Sequence, residues 1–169
     1  MEGRIHEVDW RLWEPQQRAT LLFVIRDGLV LLIHKKRGLG AGKVNGPGGR
    51  LQAGETPLEC AVRETREELR VTPLGVRECG ELRFHFVDGL AIHGHVFAAD
   101  DCDGEPQETD EARPFWSALD EIPFDRMWAD DRLWFPWMLA GCRFDGRFYF
   151  DGDRMLGWEL APQASRPRA

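Results

Sequence analysis

The sequence predicts a single α/β domain in which a mixed β-sheet lies between α-helices. Strand-like apolar runs occur in both halves of the chain, Asp-Gly turns separate several of them, and a capped helix lies between. With 169 residues, 43% hydrophobic and 30% charged, the chain can bury one core. We expect residues 1–17 to form an N-terminal extension, 18–160 the domain and 161–169 a disordered tail.

The strand predictions rest on β-rich apolar runs and on the turns between them. Arg26-Asp27-Gly28, Asp88-Gly89 and Asp151-Gly152-Asp153 each separate two such runs and indicate hairpins. The predicted strands are 19–25, 29–33, 80–87, 90–99, 114–116, 144–150 and 155–160. A glycine-rich loop at 38–49 and an acidic loop at 100–111 connect elements of the predicted sheet.

Two helices complete the predicted architecture. The first begins at Thr56, an N-cap residue, with Pro57 at the first helical position and Glu59 completing a capping box. A second helix is expected at 130–139, N-capped by Asp130. The stripe expected to pack the first helix on the sheet consists of Leu58, Val62, Thr65 and Leu69.

Three carboxylates share one side of the first predicted helix. Glu64, Glu67 and Glu68 stand at i, i+3 and i+4, a spacing at which like charges repel unless a cation binds them. A glycine-rich turn lies just upstream, where the backbone can approach a ligand closely. This combination indicates a site for a hard metal ion and polyphosphate chemistry. The alternative is a solvated helix face that pairs with Arg63 and Arg66.

The segment from Gly49 to Val71 resembles the Nudix box, G-x5-E-x7-R-E-U-x-E-E-x-G-U, where U is a bulky apolar residue. The matching positions are Gly49, Glu55, Arg63, Glu64, Glu67, Glu68 and Val71. Thr65 and Arg70 depart from the pattern, and Arg70 removes the glycine that commonly ends such a helix.

The resemblance implies a Nudix fold, with the sheet between helices, and Mg²⁺-dependent pyrophosphohydrolysis, with Mn²⁺ as a possible substitute. It also implies that Arg63 orients a glutamate by ion pairing. Glu68 and Glu111 are both candidates for the group that activates water, and the sequence does not choose between them. The implied metal ligands are Gly48, through its carbonyl, Glu64, Glu67, Glu68 and Glu111.

Further motifs are similar to those of Nudix members that hydrolyse oxidised purine nucleoside triphosphates. They include Lys35-Lys36-Arg37-Gly38, Asn45-Gly46-Pro47-Gly48-Gly49 and Met127-Trp128-Ala129-Asp130-Asp131. The resemblance implies conversion of 8-oxo-dGTP and 2-oxo-dATP to monophosphate and pyrophosphate. The implied substrate-binding residues are Thr20, Lys35, Asn45, Gly48, Gly49, Phe84, Trp128, Asp130 and Asp131. Leu39, Val44 and Pro47 replace aromatic residues and predict a wider pocket.

Composition narrows the partners and the compartment. A net charge of −7 argues against binding polymeric nucleic acid, although basic residues concentrate at 34–50, near the glycine turn. The four cysteines lack zinc-knuckle or C-x-x-C spacing, which favours free thiols in a reducing compartment. Residues 1–17 lack an apolar signal segment, and no apolar run is long enough to span a membrane. We therefore expect a cytoplasmic enzyme with a small nucleotide substrate, either monomer or dimer.

Two other functions remain open from the sequence. The chain could be a Nudix hydrolase for another nucleotide, such as a normal or methylated triphosphate or a nucleoside diphosphate derivative. It could also be an inactive Nudix domain that binds or regulates. The intact cluster of Glu64, Glu67 and Glu68 argues against the inactive form, because an idle site needs no clustered like charges.

Overall fold

The computed structural model describes residues 2–164, and within them it confirms a mixed β-sheet between two α-helices. The helices are α1 (Pro57–Leu69) and α2 (Asp131–Leu139). The strands are β1 (Glu2–Gly3), β2 (Gln17–Arg26), β3 (Leu29–Lys35), β4 (Val44–Asn45), β5 (Gly48–Arg50), β6 (Thr72–Leu74), β7 (Arg77–Phe86), β8 (Ala91–Ala99), β9 (Asp101–Asp103), β10 (Ala112–Ala118), β11 (Phe144–Asp151) and β12 (Arg154–Pro162).

The main sheet runs in the order β1-β12-β11-β7-β8-β2-β3-β10. The pairs β2–β8 and β7–β11 are parallel, whereas their neighbours along the sheet are antiparallel. All three predicted hairpins are present: β2–β3, β7–β8 and β11–β12. The mixed character follows because chain-adjacent strands form hairpins while longer connections bring parallel partners together.

Each helix covers one apolar face of the sheet. Leu22 and Val24 of β2 pack with Ala61 and Leu69 of α1, whereas the alternate residue Phe23 packs on the α2 face. On the α2 face the fully buried side chains include Trp134, Phe135, Phe144, Phe148 and Phe150. The period of two along a strand therefore divides the core into an α1 layer and an aromatic α2 layer.

The hairpin of β2 and β3 opens toward the glycine-rich loop. These strands pair only at Ile25–Val30 and Arg26–Leu29, after which β5 pairs with β2 and β4 pairs with β3. The chain can run this close to β2 because Gly48 has no side chain: an added Cβ would lie 1.8 Å from the Thr20 carbonyl oxygen. The diverging strands leave an open cleft between them.

Helix α1 begins as predicted, but its packing stripe differs from the prediction. The Thr56 hydroxyl accepts a hydrogen bond from the Glu59 amide at 3.2 Å. The predicted stripe was wrong at Leu58, which is 47% exposed in the first turn of the helix. The buried residues are Cys60, Ala61, Thr65, Glu68 and Leu69. Arg70 takes the left-handed conformation itself, at φ 60°, and ends the helix without glycine.

Three further predictions were wrong in detail. Asp130 stands at the start of α2 but makes no capping hydrogen bond, because its carboxylate accepts a bond from the Trp134 indole instead. The acidic loop contains β9, which pairs antiparallel with β6. The strand predicted at 114–116 extends over Ala112–Ala118, because all seven residues pair with β3.

Both ends of the described part of the chain lie at β12. Glu2 and Gly3 pair with Trp158 and Gly157, and Ile5, in a 3-10 helix at Ile5–Glu7, is 2% exposed. Strand β12 continues to Pro162, past the start of the predicted tail, and residues 165–169 lie outside the described part of the chain. In the described residues, no helix has the length and apolarity required to cross a membrane.

Candidate active site

The opening between β2 and β3 leads into a cleft of about 370 Å³. Several segments that are separate in sequence line it, from Gln17 at the start of β2 to Asp131 at the start of α2. The structure brings all nine predicted substrate-binding residues to its wall: Thr20, Lys35, Asn45, Gly48, Gly49, Phe84, Trp128, Asp130 and Asp131.

One end of the cleft carries a carboxylate cluster formed by Glu64, Glu68 and Glu111. One oxygen of each lies within 4.8 Å of an oxygen of the other two. Glu64 and Glu68 come from adjacent turns of α1, and Glu111 directly precedes β10. Glu67 is outside the cluster: its half-exposed carboxylate contacts Arg63 at 3.3 Å. Of the four predicted metal-binding glutamates, the structure therefore brings three together.

Arg63 fixes the orientation of the glutamates next to the cluster. Its guanidinium donates to both Glu55 oxygens, at 2.6 and 2.9 Å, and to Glu64 at 2.8 Å. A further bond to the Arg50 carbonyl, at 3.1 Å, ties the helix to β5. These bonds lower the pKa of Glu55 to about 2. The geometry supports a positioning function for Arg63.

The glycines beside the cluster leave room for Glu64 and for a ligand. A Cβ added at Gly49 would lie 2.4 Å from the carboxyl carbon of Glu64. The backbone of Gly48 faces the carboxylate of Glu68 and partly offsets the rise in its pKa. Any side chain at Gly49 would displace Glu64. The absence of a side chain therefore lets the backbone at Gly49 lie directly against the Glu64 carboxylate.

Burial and like charges make Glu68 unusual. Its side chain is buried, and desolvation, together with Glu64 and Glu111, raises its pKa to about 8. Desolvation also raises the pKa of Glu64. A divalent cation would relieve both effects, since it supplies positive charge and replaces the lost hydration. The all-oxygen donor set fits a hard ion such as Mg²⁺.

The base end of the cleft, formed by Asn45, Phe84, Trp128, Asp130 and Asp131, contains two buried adjacent carboxyl groups. Asp130 and Asp131 are 1% and 3% exposed. Asp130 Oδ2 accepts from the Trp134 indole at 2.8 Å, whereas Asp130 Oδ1 and Asp131 Oδ2 have no partner. Desolvation raises the pKa of Asp130 to about 6 and that of Asp131 well above its ordinary value. A protonated carboxyl group here can donate a hydrogen bond to a ligand.

Trp128 provides the flat surface of the base end. Its ring lies edge-on to Phe86 and Phe150, and the Lys43 ammonium lies 5.1 Å from its centroid. A Cβ added at Gly40 would lie 2.8 Å from the Trp128 indole nitrogen, so the glycine-rich loop packs directly against this ring. The ring is held by its neighbours and suits stacking against an aromatic ligand.

Asn45 and Thr20 differ in how much of their side chains a ligand can reach. Asn45 Oδ1 accepts from the Gly46 amide at 2.8 Å, which leaves the side-chain NH₂ to donate. The Thr20 hydroxyl lies 3.4 Å from the Cys60 thiol, which directs it toward α1. The predicted role of Thr20 is therefore less direct than that of Asn45.

Sequence reasoning missed part of the cleft wall. Phe86 continues the face of Phe84 on β7, and Ile92 lies opposite Phe84 on β8. The signal was available, because residues two apart on a strand share a face. The other unpredicted lining residues include Gln17, Leu82, Leu90, His95 and Val96.

Comparison with known proteins finds relatives of this chain in sequence and in fold. Residues 15–138 match the NUDIX domain family. The chain is 49% identical over 138 residues to the zebrafish (Danio rerio) oxidized purine nucleoside triphosphate hydrolase, covering 81% of this chain and 88% of that protein. The mouse (Mus musculus) protein of the same name is 43% identical over 143 residues, covering 83% and 92%. A mutator MutT protein from Bacillus halodurans has a similar structure, with a TM-score of 0.78, 28% identity, and coverage of 88% of this chain and 99% of that one.

Proposed function

The chain belongs to the Nudix family, and from that premise we propose that it hydrolyses oxidised purine nucleoside triphosphates to the monophosphate and pyrophosphate. The substrates we expect are 8-oxo-dGTP and 2-oxo-dATP, whose removal would keep the nucleotide pool free of oxidised bases. The observation that carries the proposal is a single cleft with a carboxylate cluster at one end and two buried, partly unpartnered aspartates at the other.

Nudix hydrolases generally need a divalent metal, and we propose Mg²⁺, with Mn²⁺ as a substitute. Glu64, Glu68 and Glu111 would hold it, together with the carbonyl of Gly48. The metal would neutralise the phosphates, polarise the attacked phosphorus and acidify a water. Glu68 or Glu111 would accept the proton of that water, and Arg63 would keep Glu64 in place.

The base would stack on Trp128 and present its edge to Asn45 and to the aspartate pair. One protonated aspartate would donate to a keto oxygen, and the ionised one would accept from a ring N–H. Because the two groups are adjacent and buried, the proton can reside on either. That choice would let one pocket accept both 8-oxoguanine and 2-oxoadenine.

The lysines near the cleft would support binding of the polyanion. Lys35 lines the cleft, and its positive charge acts on Glu68. Lys43 lies over the Trp128 ring, where it adds positive charge to the cleft entrance. A few local cations therefore suffice for a small anionic substrate in a protein of net charge −7.

We also propose a cytoplasmic location, which remains a prediction. The four cysteines are free, and three of them are buried. Free thiols suit a reducing compartment.

The test is kcat/KM for 8-oxo-dGTP, 2-oxo-dATP, dGTP and dATP with Mg²⁺, together with identification of the released product. We expect pyrophosphate release and a strong preference for the oxidised bases. Pyrophosphate release without preference would retain the chemistry and overturn the base site. The exposed Leu39, which lines the cleft in place of an aromatic residue, makes this outcome worth testing. No turnover of any of the four would overturn the proposal in favour of another nucleotide or a binding domain.

A further inference from the structure

Two imidazoles and a carboxylate form a second group of possible metal ligands, separate from the carboxylate cluster and beside the part of the cleft wall that His95 lines. His93 and His95 are two residues apart on β8, so they point to the same face of the sheet, and Glu81 of β7 lies opposite His95. One ligand atom from each of the three lies within 4.8 Å of the others. The reaction proposed above assigns no function to Glu81 or His93.

The distances within this group are close to those of tetrahedral metal coordination. His93 Nε2 lies 3.1 Å from Glu81 Oε1, and His95 Nδ1 lies 3.7 Å from the same oxygen. Glu78 Oε1 lies 3.4 Å from His95 Nδ1. With metal–nitrogen bonds of about 2.0 Å, the ligands of a tetrahedral zinc ion lie about 3.3 Å apart. Three of the four positions are therefore occupied by Glu81, His93 and His95, whereas the Glu78 carboxylate is close only to His95.

The mixed donor set distinguishes this group from the carboxylate cluster. Imidazole ligands favour zinc and other transition metals, whereas Mg²⁺ prefers oxygen ligands alone. Two histidines and a glutamate also form a recurring zinc-binding combination. All three side chains are largely withdrawn from solvent, at 16%, 6% and 13% exposure for His93, His95 and Glu81.

We propose that Glu81, His93 and His95 bind a Zn²⁺ ion, with the fourth position taken by water or by Glu78 after a rotation of its side chain. The bound ion would link β7 to β8 on the face of the sheet that α1 covers. Gln163, just after β12, donates to the second oxygen of Glu81, so the site also fixes the end of the described chain. Such outer contacts orient a ligand carboxylate.

Arg18 would compete with a metal ion for the imidazole of His95. Its guanidinium lies 3.2 Å from His95 Nε2, a contact that leaves the ring proton on Nδ1. Zinc at Nδ1 requires the other tautomer, which places the proton on Nε2 and ends this contact. Because Arg18 is exposed, it can turn away into solvent. Its removal should therefore strengthen zinc binding.

The experiment titrates Zn²⁺, and separately Co²⁺, into the full chain in millimolar Mg²⁺, which occupies the carboxylate cluster. A Cys142→Ser background removes the exposed thiol as a zinc ligand. We expect one equivalent of Zn²⁺ by calorimetry and the visible absorption of tetrahedral Co²⁺. His93→Ala and Glu81→Gln should each weaken binding by about tenfold or more. Arg18→Gln should strengthen it.

The matched control is His85→Gln, which removes a half-buried imidazole of β7 that is not part of the group. It should leave zinc affinity unchanged. Circular dichroism of every variant verifies that the fold is retained. Absence of zinc binding in Mg²⁺, or equal affinity in the His93→Ala and His85→Gln variants, would overturn the proposal.

Discussion

The carboxylate cluster and the base end of the cleft are assembled in different ways. Two residues of the cluster come from adjacent turns of α1, and Arg63 of the same helix orients Glu64. The base end takes its residues from β4, from β7 and from the start of α2. Together these residues span more than eighty positions of the sequence. Local helix structure builds two of the three members of the first, and Glu111 joins them from the start of β10, whereas the second depends entirely on the assembled sheet. We therefore expect substitutions in the carboxylate cluster to reduce turnover without changing base preference, and substitutions at the base end to change base preference without abolishing turnover.

The largest effect should come from the buried member of the cluster. Glu68→Gln removes a charge needed by the metal and by the attacking water, so we expect kcat to fall by about 10³-fold. Glu67→Gln is the matched control on the same helix, because Glu67 is half-exposed and outside the cluster. Its kcat should fall by less than about tenfold. An equal loss in both variants would contradict the assignment of the cluster.

The next effect concerns stability and pH in the absence of metal. Glu68 has its pKa raised from 4.5 to about 8, and Asp130 has its pKa raised from 3.8 to about 6. A carboxyl group whose pKa is higher in the folded than in the unfolded protein favours the folded state when it is protonated. Its contribution to the free energy of unfolding is complete below the unfolded-state pKa and is lost as the pH rises through the folded-state pKa. The free energy of unfolding should therefore fall between about pH 4 and pH 8, with up to about 5 kcal/mol from Glu68 at about 1.36 kcal/mol per pKa unit.

Chemical denaturation of the metal-free protein across this pH range measures the effect. Glu68→Gln should flatten most of the slope, and Mg²⁺ should restore stability at pH 8, because it binds the ionised carboxylates. Stability that rises with pH in the metal-free protein would contradict the burial of these charges.

Asp131→Asn tests the base end. An amide cannot exchange a proton with Asp130, so the ratio of kcat/KM for 8-oxo-dGTP to that for dGTP should fall by about 10- to 100-fold. The chemistry should remain, with pyrophosphate still released. The exposed Asp125→Asn is a control nearby in the chain and should leave the ratio unchanged. An unchanged ratio in Asp131→Asn would show that the base is read elsewhere.

Trp128→Ala should have the smallest of the four effects. Loss of one stacking surface should raise KM about tenfold for both oxidised and normal purines, since stacking is tolerant of base identity. Steady-state kinetics on 8-oxo-dGTP and dGTP separates this result from the change of ratio expected for Asp131→Asn. A change in kcat with KM unchanged would place Trp128 outside the substrate contact.

The contrast between local and long-range assembly also determines which parts of the site the sequence could predict. Helix α1, its Thr56 cap and the grouping of Glu64 with Glu68 follow from local spacing, which the structure retains. The departure of Glu67 did not follow, because its position depends on where the sheet meets the helix. Glu111, Trp128 and Asp131 were reached only through resemblance, since no local pattern connects such distant residues. Leu58 was mispredicted because periodicity shows which residues share a face of the helix, and it does not show how deeply each turn is covered.

The most direct test of separate ends is binding of the product without metal. We would titrate the metal-free protein, and its Asp131→Asn and Glu68→Gln variants, with 8-oxo-dGMP and dGMP. The account predicts that the native protein prefers 8-oxo-dGMP, that Glu68→Gln keeps this preference and that Asp131→Asn loses it. A preference that appears only with metal, or that survives in Asp131→Asn, would contradict the account.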